Sequence, residues 1–428
     1  HYLHSTGEPA LDYLRWLEQE PFKELGDGEQ HQAENAALLL QRSVAQVGED
    51  ARLVLGLAGC LAFDLLAVAP MIALLEGDER RGRIAVNELV NYGLLERREE
   101  RLHIGHALIH QYAAKYLSLS KEALARVALY YIEWCETQSA AGLPGYALLD
   151  EERAHCLRLI AACLESELWQ EVQGLVEAIK IYLDRQGWWT EQIAALEMRL
   201  TAVRLAGDRR DEALCLNALG YTCGRRGEDD KALQWYKQSL LICHELSDQR
   251  GQGRVMNNIG LTLRNLDKNK QAVQYFDQSL TIQQEIGDRH GEGRTLNNIG
   301  ILYMIQGDYS TALQYYEQCL PIRKEAGDKM GEAYTLENIA TIYDDQEKPS
   351  KALGYYEQAL AIRQELGDRA GEAQSCWNIG LTCKDMGDLA QAEEYISRAV
   401  EIAEVIGHPL LEEWRDGLEQ VRAARQGA

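Results

Sequence analysis

The chain has 428 residues, 46% of them hydrophobic and 26% charged, and a formal net charge of −23. That charge opposes non-specific nucleic-acid binding, which needs an excess of cations to displace counterions. No stretch approaches the roughly 20 apolar residues of a membrane span; the most apolar run, Leu53 to Leu75, is broken by Asp64 and Pro70. No membrane partner is expected. The chain starts at His1 without a methionine or a secretory signal pattern, which predicts a processed or excised fragment. None of the ten cysteines forms a Cys-x-x-Cys pair, and several fall on columns otherwise apolar. They are read as reduced core residues of a cytoplasmic protein.

Residues 51–118 read as three helices and a hairpin. Ala51–Phe63 is an apolar helix, a short helix follows near Met71, and Arg80–Tyr92 is amphipathic. Leu94–Arg97 and Leu102–Ile104 are expected to be short strands around a charged turn, with a closing helix over Ala107–Leu117. This is the winged-helix plan, a helix-turn-helix variant.

The order LVNYGLLERREERLHIGHALIHQYAAKYL resembles the winged-helix end of NB-ARC ATPases, the signal-transducing STAND class. In that family a Met-His-Asp-like motif opens the final helix and its histidine contacts the nucleotide phosphate. The resemblance implies that role for His106 in a full-length parent, although Ala107 replaces the acidic residue. Residues 1–50, including HYLHSTGEPALDYLRWLEQEPFKEL, resemble the end of the family's helical domain. A full-length parent would then use ATP or ADP with magnesium, and its oligomerisation is left open. This chain contains no Gly-x-x-x-x-Gly-Lys-(Ser/Thr) loop to cradle phosphates. Neither cofactor binding nor catalysis is expected of it.

His103, His106 and His110 invite a metal reading, but no fourth ligand suggests itself and His103 falls on the preceding strand. Arg80, Arg81 and Arg83 invite a DNA reading, which the acidic surroundings oppose.

Residues 119–207 read as a helical linker, with a degenerate repeat over 168–207. From 208 the chain repeats every 40 residues. Gly-Asp-x-x-Gly-Glu recurs at Gly287, Gly327 and Gly367, with weaker copies at Ser247 and Gly207. Gly220, Gly260, Gly300, Ala340 and Gly380 align; twelve residues on stand Ala232, Ala272, Ala312, Ala352 and Ala392, followed by Tyr236, Phe276, Tyr316, Tyr356 and Ile396. Such a small residue lets two helices approach, and the aromatic fills the gap beside it. Each copy is a pair of antiparallel helices, and a fixed period of this kind predicts a solenoid. Leu296-x-x-Ile299-Gly300-x-x-Tyr303 with Ala312 and Tyr316 resembles the tetratricopeptide repeat, in the long-helix variety similar to kinesin light chain. Five copies span 208–407, and a capping helix is expected over 408–428. The fold class is therefore all-α: a winged-helix unit with a small β-hairpin, then a tetratricopeptide α-solenoid superhelix.

Offsets of 0, 4, 7 and 11 share one helix face. On the first helix of each copy that face is expected to line a concave groove containing Arg225, Arg254, Asn258, Asn265, Arg294, Asn298, Asn338, Asp345, Asn378 and Asp385. An amide recurring at 258, 298, 338 and 378 carries both donor and acceptor and can grip the backbone of an extended peptide; the bland reading is that it braces neighbouring helices. Arginines lie early in the row and aspartates late. The expected function is that of a regulatory fragment of a STAND ATPase. Its repeats would bind a peptide or protein, and its winged helix would couple that event to a nucleotide-binding domain this chain lacks. The alternatives are a free-standing tetratricopeptide scaffold and a repeat-controlled winged-helix transcription regulator.

Overall fold

A computed structural model describes residues 40–406 and 408–427. The expected remnant of a helical domain at 1–50 therefore lies largely outside the described residues. The chain divides into two compact units, His1–Arg226 and Gly227–Ala428. The division falls inside the first 40-residue copy. No described helix is long and apolar enough to cross a membrane.

The first unit opens on α1 (Glu49–Cys60), α2 (Ala69–Leu74) and α3 (Glu79–Asn91), followed by β1 (Glu96–Arg98), β2 (Arg101–His103) and α4 (Ala107–Tyr116). β1 and β2 pair antiparallel, with Glu96 opposite His103, and Leu66 adds a bridge to Leu102. The sequence places Leu94 and Leu95 on the first strand. Instead Gly93 turns left-handed and the N–H groups of both leucines return to Leu89 O, which ends α3 and buries both side chains. α1 crosses α4 closely because Gly59 and Gly56 lack side chains. A Cβ at Gly59 would lie 2.4 Å from Ala114 N, and one at Gly56 2.5 Å from Leu117 O.

Antiparallel helices complete this unit: α5 (Lys121–Ala140), α6 (Leu143–Glu165), α7 (Trp169–Arg185), α8 (Trp189–Ala206) and α9 (Arg209–Arg225). Arg101 on β2 ties the hairpin to α6 through Glu152, which also accepts from Tyr131 on α5 at 2.8 Å. The link between α1 and α2 is fixed from three sides: His155 meets Leu65 O at 3.0 Å, Arg101 donates to the same oxygen at 2.9 Å, and His110 meets Leu61 O at 2.9 Å.

The second unit contains α10 (Asp229–Glu245), α11 (Gln249–Asn265), α12 (Asn269–Glu285), α13 (Arg289–Ile305), α14 (Tyr309–Glu325), α15 (Lys329–Asp345), α16 (Pro349–Leu366), α17 (Arg369–Asp385), α18 (Leu389–Ile406) and α19 (Leu411–Gly427). Ala272, Ala312, Ala352 and Ala392 are fully buried, and the paired helices close over a core of small and aromatic residues. The ring of Tyr316 occupies the space a side chain at Gly300 would need, its Cε1 only 2.4 Å from the position of that Cβ; Phe276 does the same at Gly260.

A left-handed residue punctuates the chain every 20 positions, from Glu167 through Gly187 and Gly207 in the first unit to Gly227, Ser247, Asp267, Gly287, Gly307, Gly327, Glu347, Gly367 and Gly387 in the second. The 168–207 segment thus carries the turn rhythm of the repeats. Each turn reverses the chain after about five helical turns. The Gly-Asp-x-x-Gly motif has a steric basis. Asp248, Asp288, Asp328 and Asp368 cap their helices by accepting the N–H of Gly251, Gly291, Gly331 and Gly371 at 2.9–3.1 Å. A Cβ on Gly331 would stand 2.1 Å from the Asp328 carboxylate as it is placed, so a side chain there requires the carboxylate to shift, as in the first copy, where Asp208 caps the N–H of Asp211 at 3.0 Å.

Candidate functional site

Within the second unit, the first helices of successive repeats are α11, α13, α15 and α17. They carry Arg254, Asn258 and Asn265; Arg294 and Asn298; Asn338 and Asp345; and Asn378 and Asp385. Arg225 belongs to the first unit, where it lies 3.9 Å from Asp184 and over the ring of Trp189.

The amides are bound into the solenoid to different degrees. Asn298 is buried and its Nδ2 donates to Asn257 Oδ1 at 2.9 Å; Asn338 donates to Asn297 at 3.2 Å. Their carbonyl oxygens have no partner among the described residues. Asn378 is arranged the other way round, its oxygen accepting from Gln374 at 3.1 Å. Asn258 receives a long contact from Asn257 at 3.4 Å. At least two of these amides therefore also brace neighbouring repeats.

The bracing residues themselves were missed by sequence reasoning. Thr295 donates to Asn257 Oδ1 and Thr335 to Asn297 Oδ1, both at 3.2 Å; Ser375 donates to Glu337 at 2.7 Å. The signal was present: a hydroxyl recurs at 295, 335 and 375, and polar residues stand at 257, 297 and 337 on an otherwise buried stripe. Glu337 is neutralised by Arg363 at 2.6 Å, and Arg363 in turn reaches the capping Asp368 at 2.6 Å.

Charge is unevenly spread along these helices. Arg254 is half-buried with its Nε unpartnered, and Arg294 is exposed. At the other end Asp345 accepts from Tyr309 at 3.1 Å and Asp385 is exposed. Asp344 beside them accepts from Thr382 at 2.9 Å; burial pushes its pKa up, and Asp385 and Asp345 add to the rise. Apolar groups interrupt the polar row. Ile305 is 67% exposed, and Tyr334 is exposed beneath the Arg363 guanidinium at 4.7 Å.

In the first unit His106 is buried and caps α4, its Nδ1 accepting the N–H of Leu108 at 3.0 Å. His103 and His110 flank the Phe63 ring at 5.5 and 5.4 Å. No metal-binding group of three or more His, Cys, Asp or Glu exists among the described residues. Arg81 is held by Asp50 at 2.6 Å and Arg83 by Glu79, so two of the three arginines on α3 are neutralised.

Family models described as tetratricopeptide repeat match residues 215–250 and, in overlapping segments, 251–325, 305–365 and 331–405. The comparison with curated proteins found no match. Among solved structures, a signal transduction ATPase with numerous domains (STAND) carrying a tetratricopeptide repeat sensor, from Pyrococcus horikoshii, is similar over 98% of this chain and 65% of its own, at 16% identity and a TM-score of 0.50. BtubC from P. vanneervenii is similar over 51% of this chain and 92% of its own, at 21% identity and a TM-score of 0.47. The quorum sensor NprR of B. thuringiensis aligns over 65% and 82%, at 19% identity and 0.43. The chain spans about two thirds of the STAND protein's length. Its own residues 215–405 are tetratricopeptide repeats.

Proposed function

We propose that this chain is the sensor part of a STAND-type signalling ATPase, in which the repeat groove binds an extended peptide or protein segment. The observation that carries the binding role is the row of amides on α11, α13, α15 and α17. It leaves the Asn298 and Asn338 oxygens free to accept a ligand's backbone N–H groups at 40-residue intervals. A peptide held this way is gripped through its backbone, with little demand on its side chains. The coupling role is supported by the fold likeness to a STAND protein over nearly the whole chain. It is also supported by the hairpin unit, where α1–α4 with β1 and β2 follow the winged-helix plan.

Nucleotide chemistry is assigned to a domain outside this sequence. The lack of a Gly-x-x-x-x-Gly-Lys-(Ser/Thr) loop in the sequence and the use of His106 Nδ1 as a helix cap support that assignment.

The test is selection of random displayed peptides on the full chain, followed by affinity measurement with Asn298→Ala/Asn338→Ala, with a thermal melt of the variant to confirm that it is folded. Each lost hydrogen bond is worth about 0.5–1.5 kcal/mol, so the double variant should weaken selected peptides roughly tenfold. Peptides that bind the variant as tightly as the parent would move the recognition surface elsewhere.

A further inference from the structure

Each second helix of the second unit carries an aromatic residue at one fixed position: Trp235 on α10, Tyr275 on α12, Tyr315 on α14, Tyr355 on α16 and Tyr395 on α18. All five are half-buried, so each leaves part of its ring exposed. Two residues further on stand Lys237, Asp277, Glu317, Glu357 and Ser397, and the three carboxylates among them are exposed. Elsewhere on these helices Glu325, Glu365 and Glu393 are paired with Arg289, Lys329 and Arg422. Asp277, Glu317 and Glu357 have no basic partner among the described residues. Lys237 before the row and Ser397 after it bound the acidic stretch to three consecutive repeats.

Carboxylates and rings alternate from one repeat to the next. Burial, the stacked Tyr303 and the charge of Asp277 push up the pKa of Tyr315; burial, Tyr343 and Glu317 do the same at Tyr355. At Tyr395 burial leads and Glu357 follows. Each carboxylate is thus within electrostatic reach of the tyrosine one repeat further on. Two of the rings are fixed by stacking, Tyr315 on Tyr303 with centroids 5.7 Å apart and Tyr355 on Tyr343 at 5.6 Å. The second stack already holds a cation, the Lys351 ammonium lying 5.3 Å from the Tyr343 ring centre. At Asp277 the surrounding protein pushes the pKa up, and no cation offsets that rise.

We propose that the face formed by the second helices α12, α14, α16 and α18 docks an extended, arginine-bearing segment of a partner protein, each guanidinium pairing with one carboxylate of the row while its plane lies against the tyrosine of the following repeat. Arginine fits both halves of such a site, because its planar fork meets a carboxylate bidentately and stacks on an aromatic ring. Packed helices stand about 10 Å apart and an extended chain rises about 3.3 Å per residue, so arginines at about every third or fourth residue match successive carboxylates. One exposed ion pair contributes little, and affinity comes from engaging the three sites together. The charge of the chain, −23, favours a cationic partner, and the same carboxylates repel nucleic acid and anionic membranes. This face is separate from the amide row on the first helices and does not depend on it.

The test titrates the full chain at low salt with two fluorescent alanine–serine peptides of about twelve residues, one carrying arginine at every fourth position and the other glutamine instead. The arginine peptide should bind about tenfold tighter or better. Asp277→Asn/Glu317→Gln/Glu357→Gln should weaken it about tenfold with no loss of melting temperature, since the three side chains are exposed. Glu413→Gln/Asp416→Asn/Glu419→Gln removes three exposed carboxylates from α19 with the same change in net charge, and should weaken it less than about twofold. Tyr355→Phe keeps the ring and should bind like the parent, whereas Tyr355→Leu should weaken binding about threefold. Asn298→Ala/Asn338→Ala should leave the arginine peptide unaffected, which separates this face from the groove reading. Equal losses in the row variant and the α19 variant would reduce the attraction to overall charge and overturn the site. So would a loss in the asparagine variant as large as in the row variant, or no binding of the arginine peptide below about 1 mM. A Tyr355→Leu variant that binds like the parent would remove the tyrosines from the site.

Discussion

Trp377 stacks on Trp414, their ring centroids 5.3 Å apart and their planes 11° from parallel. Trp377 occupies the column that holds Asn257, Asn297 and Glu337 in earlier repeats. Those residues face the first helix of the following repeat; Trp377 has only the capping helix α19 to face, and an indole replaces the polar brace. Gly417 makes room, since a Cβ there would come within 2.4 Å of the Trp377 ring. Trp414 is 1% exposed. Trp414→Ala should cost about 3–5 kcal/mol locally. In a nearest-neighbour array the loss should be confined to α17–α19, and hydrogen exchange should accelerate there while α11–α13 stay protected. Uniform loosening of the second unit would contradict this.

The repeat architecture was readable because its small-residue, aromatic and Gly-Asp columns are imposed by contacts within one repeat. Gly300 against Tyr316 and Gly331 against Asp328 restrict those columns to glycine in most copies, with Ala340 and Asp211 as the exceptions. The groove was less legible. Helical spacing places Asn298 and Asn338 on one face, but whether an amide points at a ligand or at Asn257 depends on a contact about 40 residues away. The column of Asn257, Asn297, Glu337 and Trp377 looked irregular because each member answers to a different neighbour.

Ser247 adopts φ 53° at a turn position where Gly207, Gly287, Gly327 and Gly367 stand in the other copies. A left-handed residue with a Cβ costs roughly 1–2 kcal/mol, part of which glycine returns through its greater freedom when unfolded. Ser247→Gly should therefore stabilise by about 0.5–1 kcal/mol, read as a rise in the urea midpoint at constant slope. A fall in the midpoint would mean that the serine side chain contributes contacts worth more than the strain.

His106→Ala should remove the cap of α4 and cost about 1 kcal/mol, whereas His106→Asn should recover most of that because asparagine is a good cap. Peptide affinity in the repeats should not change in either variant. Thermal melts of the three proteins check the first point. An alanine variant as stable as the parent would show that the hydrogen bond to Leu108 contributes nothing.

Asp344 gives a pH signature. Burial raises its folded pKa above the unfolded value of about 3.9, so the folded protein binds the proton more tightly. The sign follows: the aspartate is favourable to folding at pH values below the unfolded pKa, and that benefit is lost as pH rises through the folded pKa. Asp344→Asn keeps a side-chain oxygen for Thr382 and removes the charge. Its stability relative to the parent should increase from about pH 3 toward neutrality and then level off. A difference independent of pH would exclude ionisation of Asp344 as the cause.

Arg323 and Arg363 occupy equivalent positions in consecutive repeats but are satisfied differently. Arg363 is 3% exposed and bonds Glu337 through both Nε and Nη2, at 3.0 and 2.6 Å, as well as Asp368 at 2.6 Å. Arg323 is 6% exposed, its nearest Asp328 oxygen is 3.9 Å away, and its Nε is buried without a partner. The difference lies in the residue facing each arginine: Glu337 in one repeat, Asn297 in the other. A buried donor left unpaired costs about 1–3 kcal/mol. Asn297→Glu transplants the later arrangement into the earlier repeat, and its carboxylate can still accept from Thr335, as Glu337 accepts from Ser375. The substitution should stabilise the second unit by about 1 kcal/mol at neutral pH, with the gain lost in acid as the new carboxylate protonates. In Arg323→Met the same Asn297→Glu change should instead be destabilising, since it then buries a charge without a partner. A double-mutant cycle over Asn297 and Arg323 measures the coupling directly. A coupling near zero would mean that the Arg323 guanidinium stays out of reach of a carboxylate at position 297.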